Sequence, residues 1–242
     1  MTGLGAATAI KRVLVTRPEP AALQTAAKLA EAGFEPVLLP LSRTVPLGFS
    51  VPDIRFDALT VTSANAFRHT GHAFPHRDMP LFAVGEGTAR AAREAGFTEV
   101  IDGGGDAVRL AETMRKALPQ GARVLYLAGR VRQPVFEERV SVAGLDMTVC
   151  DVYDIETIDY SRSELERLLG PQPLAAVMLY SGVAAEAFAA AMDRIDPPFN
   201  DKTRFLCIST RVAEKLPSNW QRHALVAEQP DETGLFRLFP KL

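Results

Sequence analysis

The sequence predicts an α/β protein built by internal duplication, and three observations carry that prediction. Helix-like stretches end three times in Ala-Gly-Phe or Ala-Gly-Leu before a β-rich run: Ala32-Gly33-Phe34 ahead of EPVLLP, Ala95-Gly96-Phe97 ahead of TEVID, and Ala143-Gly144-Leu145 ahead of DMTVC. A glycine just past a helix takes the left-handed conformation that closes the last turn, and the apolar residue after it packs back on the helix. Three apolar runs of the first half also recur in the same order in the second: 13–17 as 124–130, 59–64 as 177–181, and 81–85 as 205–209. These runs are continuously apolar rather than alternating, and an Ala-rich helical stretch follows each. That is how strands of a parallel sheet buried on both faces read.

Taken in order, strand 13–17 leads into a helix from about 19 to 32, whose Leu23, Ala27, Ala30 and Phe34 form the expected buried stripe. Strand 35–40 follows, and the Pro- and Gly-interrupted segment 42–52 reads as a connector. Strand 57–62 opens the helix carrying Ser63 to Arg68. Strand 81–84 passes through Gly85-Glu86-Gly87-Thr88 into helix 88–95, then strand 98–101. Gly103 to Gly105 form a turn, and Asp106 is a natural N-cap for a helix reaching Leu118. The second half repeats the pattern with strands 123–127, 146–155, 174–180, 204–208 and 223–227. Its helices are 133–143, 161–169, 182–192, 210–216 and 231–238. Nine or ten strands, each followed by a helix, allow an α/β architecture with right-handed crossovers.

With 242 residues, 47% of them hydrophobic, the chain suits two domains of about a hundred residues each. No apolar stretch approaches the roughly 20 residues that span a bilayer. The start MTGLGAATAI lacks the basic and apolar regions of a secretory signal and reads as a leader to the first strand. Cys150 and Cys207 lack CxxC spacing and sit in apolar runs, so they read as reduced core thiols of a cytoplasmic protein. A net charge of −2 offers no basic field for nucleic acid.

The cations are skewed, with twenty-one arginines to six lysines. Codon bias accounts for such a skew, and so does a need for planar forks that grip carboxylate or phosphate. Sharper motifs fail. GGGDAVRL (103–110) lacks the third glycine of a dinucleotide fingerprint, there is no P-loop, and the run 179–183 lacks the first glycine of a nucleophile elbow. His69, His72 and His76 are separated by Gly71 and Pro75 with no completing Cys or carboxylate, and read as a solvated loop rather than a metal site.

Ligands of parallel sheets bind outside the carboxyl ends of the strands, where helix N-termini offer free N–H groups. The residues there are Thr16, Arg17, Ser63, Asn65, Gly85, Thr88, Gly129, Arg130, Ser181, Gly182, Ser209 and Thr210. Many are also good helix caps. As a set they describe two rims of anion-seeking groups.

VLVTRP (13–18), LP (39–40), TSANA (62–66), VGxxTA (84–89), Val152-Tyr153 and LYSGVA (179–184) together resemble the uroporphyrinogen-III synthase family, in order and spacing, from the first strand to the final helix. A cut of the duplication near Gly121 would give tandem domains. The resemblance implies instead two flavodoxin-like parallel-sheet domains, 1–42 plus 160–242 and 53–148. The linkers 43–52 and 149–159 would form a two-stranded β-ribbon beside a cleft, two tethers that allow hinge motion. The implied reaction closes hydroxymethylbilane, a linear tetrapyrrole with eight carboxylates, to uroporphyrinogen III, with loss of water and inversion of ring D. It needs no metal or cofactor, and its power lies in holding one folded conformer.

By the same resemblance Tyr153 is the candidate catalytic residue, since a phenol is protonated at neutral pH and can donate to a departing hydroxide; a packing role is the alternative. Arg17, Ser63, Asn65, Gly85, Thr88, Arg130, Ser181 and Gly182 are assigned to substrate binding. The family's Pro-Thr pair is replaced here by Pro230-Asp231, so Thr233 is carried over and Asp231 is not, because an acid there repels substrate unless it only caps the helix. The expected setting is a cytoplasmic monomer in transient contact with hydroxymethylbilane synthase, with no nucleic acid or membrane partner. Two other readings stay open: a non-catalytic bilobal small-molecule binding module, and a flavodoxin-like regulatory or nucleotide-binding protein.

Overall fold

A computed structural model of the chain describes residues 10–70 and 77–241. The leader up to residue 9, with His72 and His76, lies outside the described residues. The chain divides into two compact units, Met1–Arg43 with Thr157–Leu242, and Thr44–Glu156.

In unit 1 the strands are β1 (Arg12–Val15), β2 (Glu35–Leu38), β9 (Leu174–Leu179), β10 (Arg204–Cys207) and β11 (Ala224–Val226), in the parallel order β11-β10-β9-β1-β2. Its helices are α1 (Ala21–Glu31), α6 (Arg162–Leu169), α7 (Gly182–Met192), α8 (Thr210–Ala213), α9 (Ser218–Gln221) and α10 (Glu232–Phe236). Unit 2 holds β4 (Ala58–Val61), β5 (Leu81–Ala83), β6 (Val100–Asp102), β7 (Arg123–Gly129) and β8 (Asp146–Thr157). Its helices are α2 (Asn65–Thr70), α3 (Glu86–Glu94), α4 (Ala107–Ala117) and α5 (Val135–Val142). With β3 (Ser42–Pro46) its sheet order is β3-β8-β7-β4-β5-β6, and β4 to β8 are parallel.

Setting β3 aside, the two orders superpose strand for strand: β1 on β7, β2 on β8, β9 on β4, β10 on β5 and β11 on β6. These equivalences include every pair of runs that the sequence shows to be repeated. Each half of the duplication contributes two strands to one sheet and three to the other.

Both faces of both sheets are covered. Leu14, Val177, Phe205 and Cys207 point into one core of unit 1, and Val13, Val15, Met178 and Leu206 into the other. In unit 2 Leu59, Val61 and Leu125 alternate with Ala58, Val124 and Tyr126 in the same way. Double-sided burial is why the strands read as unbroken apolar runs. Both cysteines are free and buried, and burial pushes the Cys207 thiol up to about 12.

The three Ala-Gly tripeptides close their helices as expected. Gly33, Gly96 and Gly144 have φ of 83°, 92° and 74°. The next residue donates back to the last turn, Phe34 to Leu29, Phe97 to Ala92 and Leu145 to Val140. This double closure satisfies carbonyls that would otherwise be orphaned. Asp106 caps α4 through the N–H groups of Val108 and Arg109, and Ser161 forms a capping box with Glu164.

Two expectations need correction, and one segment was read in two ways. The buried stripe of α1 is Ala22, Thr25 and Leu29, while Leu23 is exposed. The helix is rich in alanine on every side, so its buried face is chosen by tertiary partners of Thr25. The segment 42–52, read from its prolines as a connector and from the resemblance as part of a ribbon, contains β3, whose neighbour Leu47 donates to the Val152 carbonyl, while Ile158 donates to that of Leu41. Pro46 is tolerated because β3 is an edge strand, where a missing N–H costs little. Finally, α9 was not expected. Its four residues are fixed by Trp220, which stacks on Phe205 at 5.2 Å and meets Phe199 edge-on at 5.4 Å.

Candidate functional site

The strand-end residues of unit 1 gather around Arg17, two residues beyond β1. Its guanidinium lies 4.5 Å from the centroid of the Tyr180 ring, just after β9, and donates to Glu232 Oε1 at 3.1 Å. Glu232 begins α10 and also accepts from the Thr25 hydroxyl and the Lys28 ammonium. Burial pushes the Glu232 carboxyl up, but the hydrogen bonds from Lys28 and Thr25 and the charges of Lys28 and Arg17 outweigh it and hold the group below its ordinary 4.5. Two cations thus share one carboxylate beside the carboxyl ends of β1 and β9.

Several other unit 1 candidates also serve local structure. Ser181 caps α7, accepting from the Ala184 N–H at 3.1 Å, and Gly182 opens that helix. The Thr16 hydroxyl is buried and spent on the Met178 carbonyl at 2.7 Å. Thr233 is exposed on α10. Asp231 caps α10 through the Gly234 N–H at 2.7 Å, the purely structural role that the sequence left open for it.

In unit 2 the candidates lie at the carboxyl ends of four neighbouring strands, β8-β7-β4-β5. After β4, the Ser63 hydroxyl accepts from the Asn65 N–H at 3.2 Å. After β5, Gly85 is the extended N-cap of α3, and Thr88 sits in its first turn. Arg130 follows β7 and reaches Asp154 Oδ2 at 3.0 Å, with its side chain 58% exposed. Tyr153 is on β8, only 7% exposed, its ring packed with Leu127 and Val152 in the core.

The Tyr153 hydroxyl differs from those of the other three tyrosines. Tyr126 is bonded to Thr62 at 2.6 Å, Tyr160 donates to the Pro40 carbonyl at 2.8 Å, and Tyr180 to the Met178 sulfur at 3.8 Å. Among the described residues none hydrogen-bonds the Tyr153 hydroxyl, and its ring is held in the core.

Sequence reasoning missed most of the residues around these two points. Glu232, Thr25, Lys28 and Tyr180 surround Arg17. Gly129, read from the sequence only as a strand-end residue, and His69 lie beside the Tyr153 ring. His69 was read as part of a solvated loop; it lies instead in α2, half-buried, with Nε2 2.8 Å from the Thr44 hydroxyl and its ring 5.8 Å from that of Tyr153. Burial, and then the charge of Arg68, lower its pKa from 6.5. Among the described residues no group of His, Cys, Asp and Glu could hold a metal ion.

Residues 24–237 match the family model described as HEM4, uroporphyrinogen-III synthase HemD. The chain belongs to the uroporphyrinogen-III synthase family. Its activity is accordingly the cyclising lyase step of haem biosynthesis that yields uroporphyrinogen III. No curated protein matches the sequence. The chain is similar in fold to uroporphyrinogen-III synthetase from Helicobacter pylori 26695, with 17% identity, coverage of 96% of this chain and 99% of that one, and a TM-score of 0.67. A mutant uroporphyrinogen III synthase from the extremely thermophilic bacterium Thermus thermophilus is 19% identical over 96% of this chain and 98% of that one, with a TM-score of 0.48.

Against the chemistry of a uroporphyrinogen-III synthase, one cavity of unit 2 is on the wrong edge. It has a volume of about 780 Å³ and lies before β4 and β5, at their amino ends, lined by Asp53, Asp57, Asp78 and Arg55 among others. Three carboxylates against one guanidinium disfavour a polyanion. The strand-end rims offer N–H groups and guanidinium instead.

Proposed function

We propose that the carboxyl-end rims of both sheets hold the carboxylates of hydroxymethylbilane, and that Tyr153 donates the proton that turns its terminal hydroxyl into water. Arg17 and Arg130 supply charge. The strand-end amides and hydroxyls around Ser63, Asn65, Gly85, Thr88, Ser181, Gly182 and Thr233 supply hydrogen bonds. As the C–O bond breaks, the phenol proton leaves with the hydroxyl and ring A becomes cationic. The substituted carbon of ring D then attacks, and the spiro intermediate fragments and closes the other way round. A ring D proton lost at closure restores the phenol.

The observation that carries this reading is the Tyr153 hydroxyl, without a hydrogen-bond partner among the described residues, on a ring that the core holds rigid. A proton donor poised in this way contributes about 10²-fold or more to rate. Tyr153→Phe is expected to lower type III turnover by about that factor. Fresh hydroxymethylbilane with purified protein, no added metal or cofactor, and separation of type I from type III product give the measurement; undiminished turnover removes Tyr153 from the mechanism. The family match does not favour a non-catalytic binding module. The expected setting is a cytoplasmic monomer that receives its unstable substrate through transient contact with hydroxymethylbilane synthase.

A further inference from the structure

We infer that Gly129, with the turn that follows it, is a positioning device for the Tyr153 phenol; the inference rests on the proposed role of Tyr153 as proton donor. The β7–β8 register slips at this point. Ala128 pairs with Asp151, but Gly129 pairs with Tyr153, so one extra residue of β8 is accommodated. Such a bulge re-aims the side chains beside it.

The phenol lies directly against Gly129. A methyl group built on that glycine would sit 2.6 Å from Tyr153 Cζ, 2.7 Å from Cε2 and 2.8 Å from the hydroxyl oxygen. Gly129 is not among the glycines of positive φ. Room for the ring, rather than backbone freedom, is therefore what selects glycine here.

The turn is locked in place by its neighbours. The Arg130 N–H donates to the Tyr153 carbonyl at 2.9 Å, tying the two strands together at the residue that matters. Arg132 spans the turn: Nη1 donates to the Gly129 carbonyl at 2.9 Å and to Asp151 Oδ1 at 2.6 Å, and Nε donates to Glu137 at the start of α5. Two of these bonds, from the Arg130 N–H and to the Gly129 carbonyl, hold the peptide against which the phenol rests, and the other two hold Arg132 in place. None of these groups touches the phenol oxygen, so they act only through where it points.

A double-mutant cycle tests this. Gly129→Ala is expected to lower kcat for type III product by up to about 10²-fold while leaving KM within a few-fold, because misplacing a reacting group by about 1 Å has that effect. Type I product forms without enzyme, so the isomer ratio should shift toward it. In a Tyr153→Phe background the same substitution should cost less than about threefold. An unchanged kcat in Gly129→Ala, with Tyr153→Phe impaired, overturns the inference and spares the proton-donor reading. An equal loss in both backgrounds overturns it as well, because the glycine then serves only the fold. Undiminished turnover in Tyr153→Phe removes the proton-donor reading and this inference with it. Should Gly129→Ala fail to fold, Arg132→Lys keeps the charge but loses the forked bonds. It is expected to lower kcat about tenfold with KM unchanged, an effect absent in the Tyr153→Phe background, and no loss of kcat would overturn the inference.

Discussion

Arg17 and Arg130 follow equivalent strands, β1 and β7, of two sheets with the same order, yet their surroundings differ in kind. Arg17 is 28% exposed at its side chain, lies against the Tyr180 ring and pairs with a carboxylate that also serves Thr25 and Lys28. Arg130 is 58% exposed and has Asp154. Both copies therefore keep a cation past the same strand, Arg17 two residues beyond β1 and Arg130 directly after β7, but not its engagement. Unit 1 has built its arginine into a structural network. Unit 2 leaves its arginine at the surface, beside a phenol whose hydroxyl has no partner among the described residues. The same strand end can thus tie its arginine to a carboxylate of the fold in one copy and leave it largely exposed in the other.

The largest effect that bears on this contrast is expected at Gly234, which lets α10 lie close enough for Glu232 to reach Arg17. A methyl group on Gly234 would sit 2.1 Å from the Gln229 carbonyl oxygen, a backbone atom that cannot swing aside. Alanine gains about 1 kcal/mol of helix propensity, but the overlap costs about 3 kcal/mol, so the net change is destabilising. A urea titration of Gly234→Ala measures it. Unchanged stability would mean that α10 is not held against its own connection, and the network around Arg17 would lose its anchor.

Next in size come Arg17→Ala and Glu232→Ala, each expected to cost about 1–2 kcal/mol, because each strips charge-assisted bonds from a half-buried partner. The double variant should lose less than the sum of the two. Acid sharpens the test. Glu232 has a folded pKa below its unfolded value, so its stabilisation is fully present above about 4.5 and is lost as pH falls through the folded value. Wild type and Glu232→Gln should therefore differ in stability at pH 7 and converge as pH drops below about 4.5. A constant difference across that range would show that the carboxylate charge is not what holds Arg17.

Much of the fold was legible because its signals are local. The three Ala-Gly tripeptides needed only a left-handed glycine and an apolar follower, and Asp106 needed only the two N–H groups of the next turn. The double-sided sheets were visible in unbroken apolar runs. What escaped was fixed at a distance. The buried face of α1 depends on Thr25 meeting Glu232, 207 positions away, and the occupied state of Arg17 depends on the same residue, 215 positions away. At Asp231 the sequence raised the question of whether an acid repels substrate; the acid that engages the site cation is its neighbour. Gly129 was visible as a strand-end glycine, but its contact with Tyr153 depends on a register slip between two strands. Edge strand β3 was legible only through the family resemblance, because an edge strand has one paired side and tolerates the proline that reads as a connector.

The smallest effect on stability is expected at Arg130. An exposed pair such as Arg130–Asp154 contributes little, so Arg130→Ala should stay within about 0.5 kcal/mol of wild type. Its effect should appear in binding. One charge-assisted bond to a substrate carboxylate is worth about 1.5 kcal/mol, which predicts a KM raised about tenfold with kcat unchanged. Added salt should narrow that gap, because an exposed charge is screened within about 10 Å at 0.1 M ionic strength. If instead Arg130→Ala destabilises the chain as much as Arg17→Ala does, while KM stays fixed, the two strand ends are alike. Arg130 is then a structural residue too, and the open rim of unit 2 must hold carboxylates through its backbone amides alone.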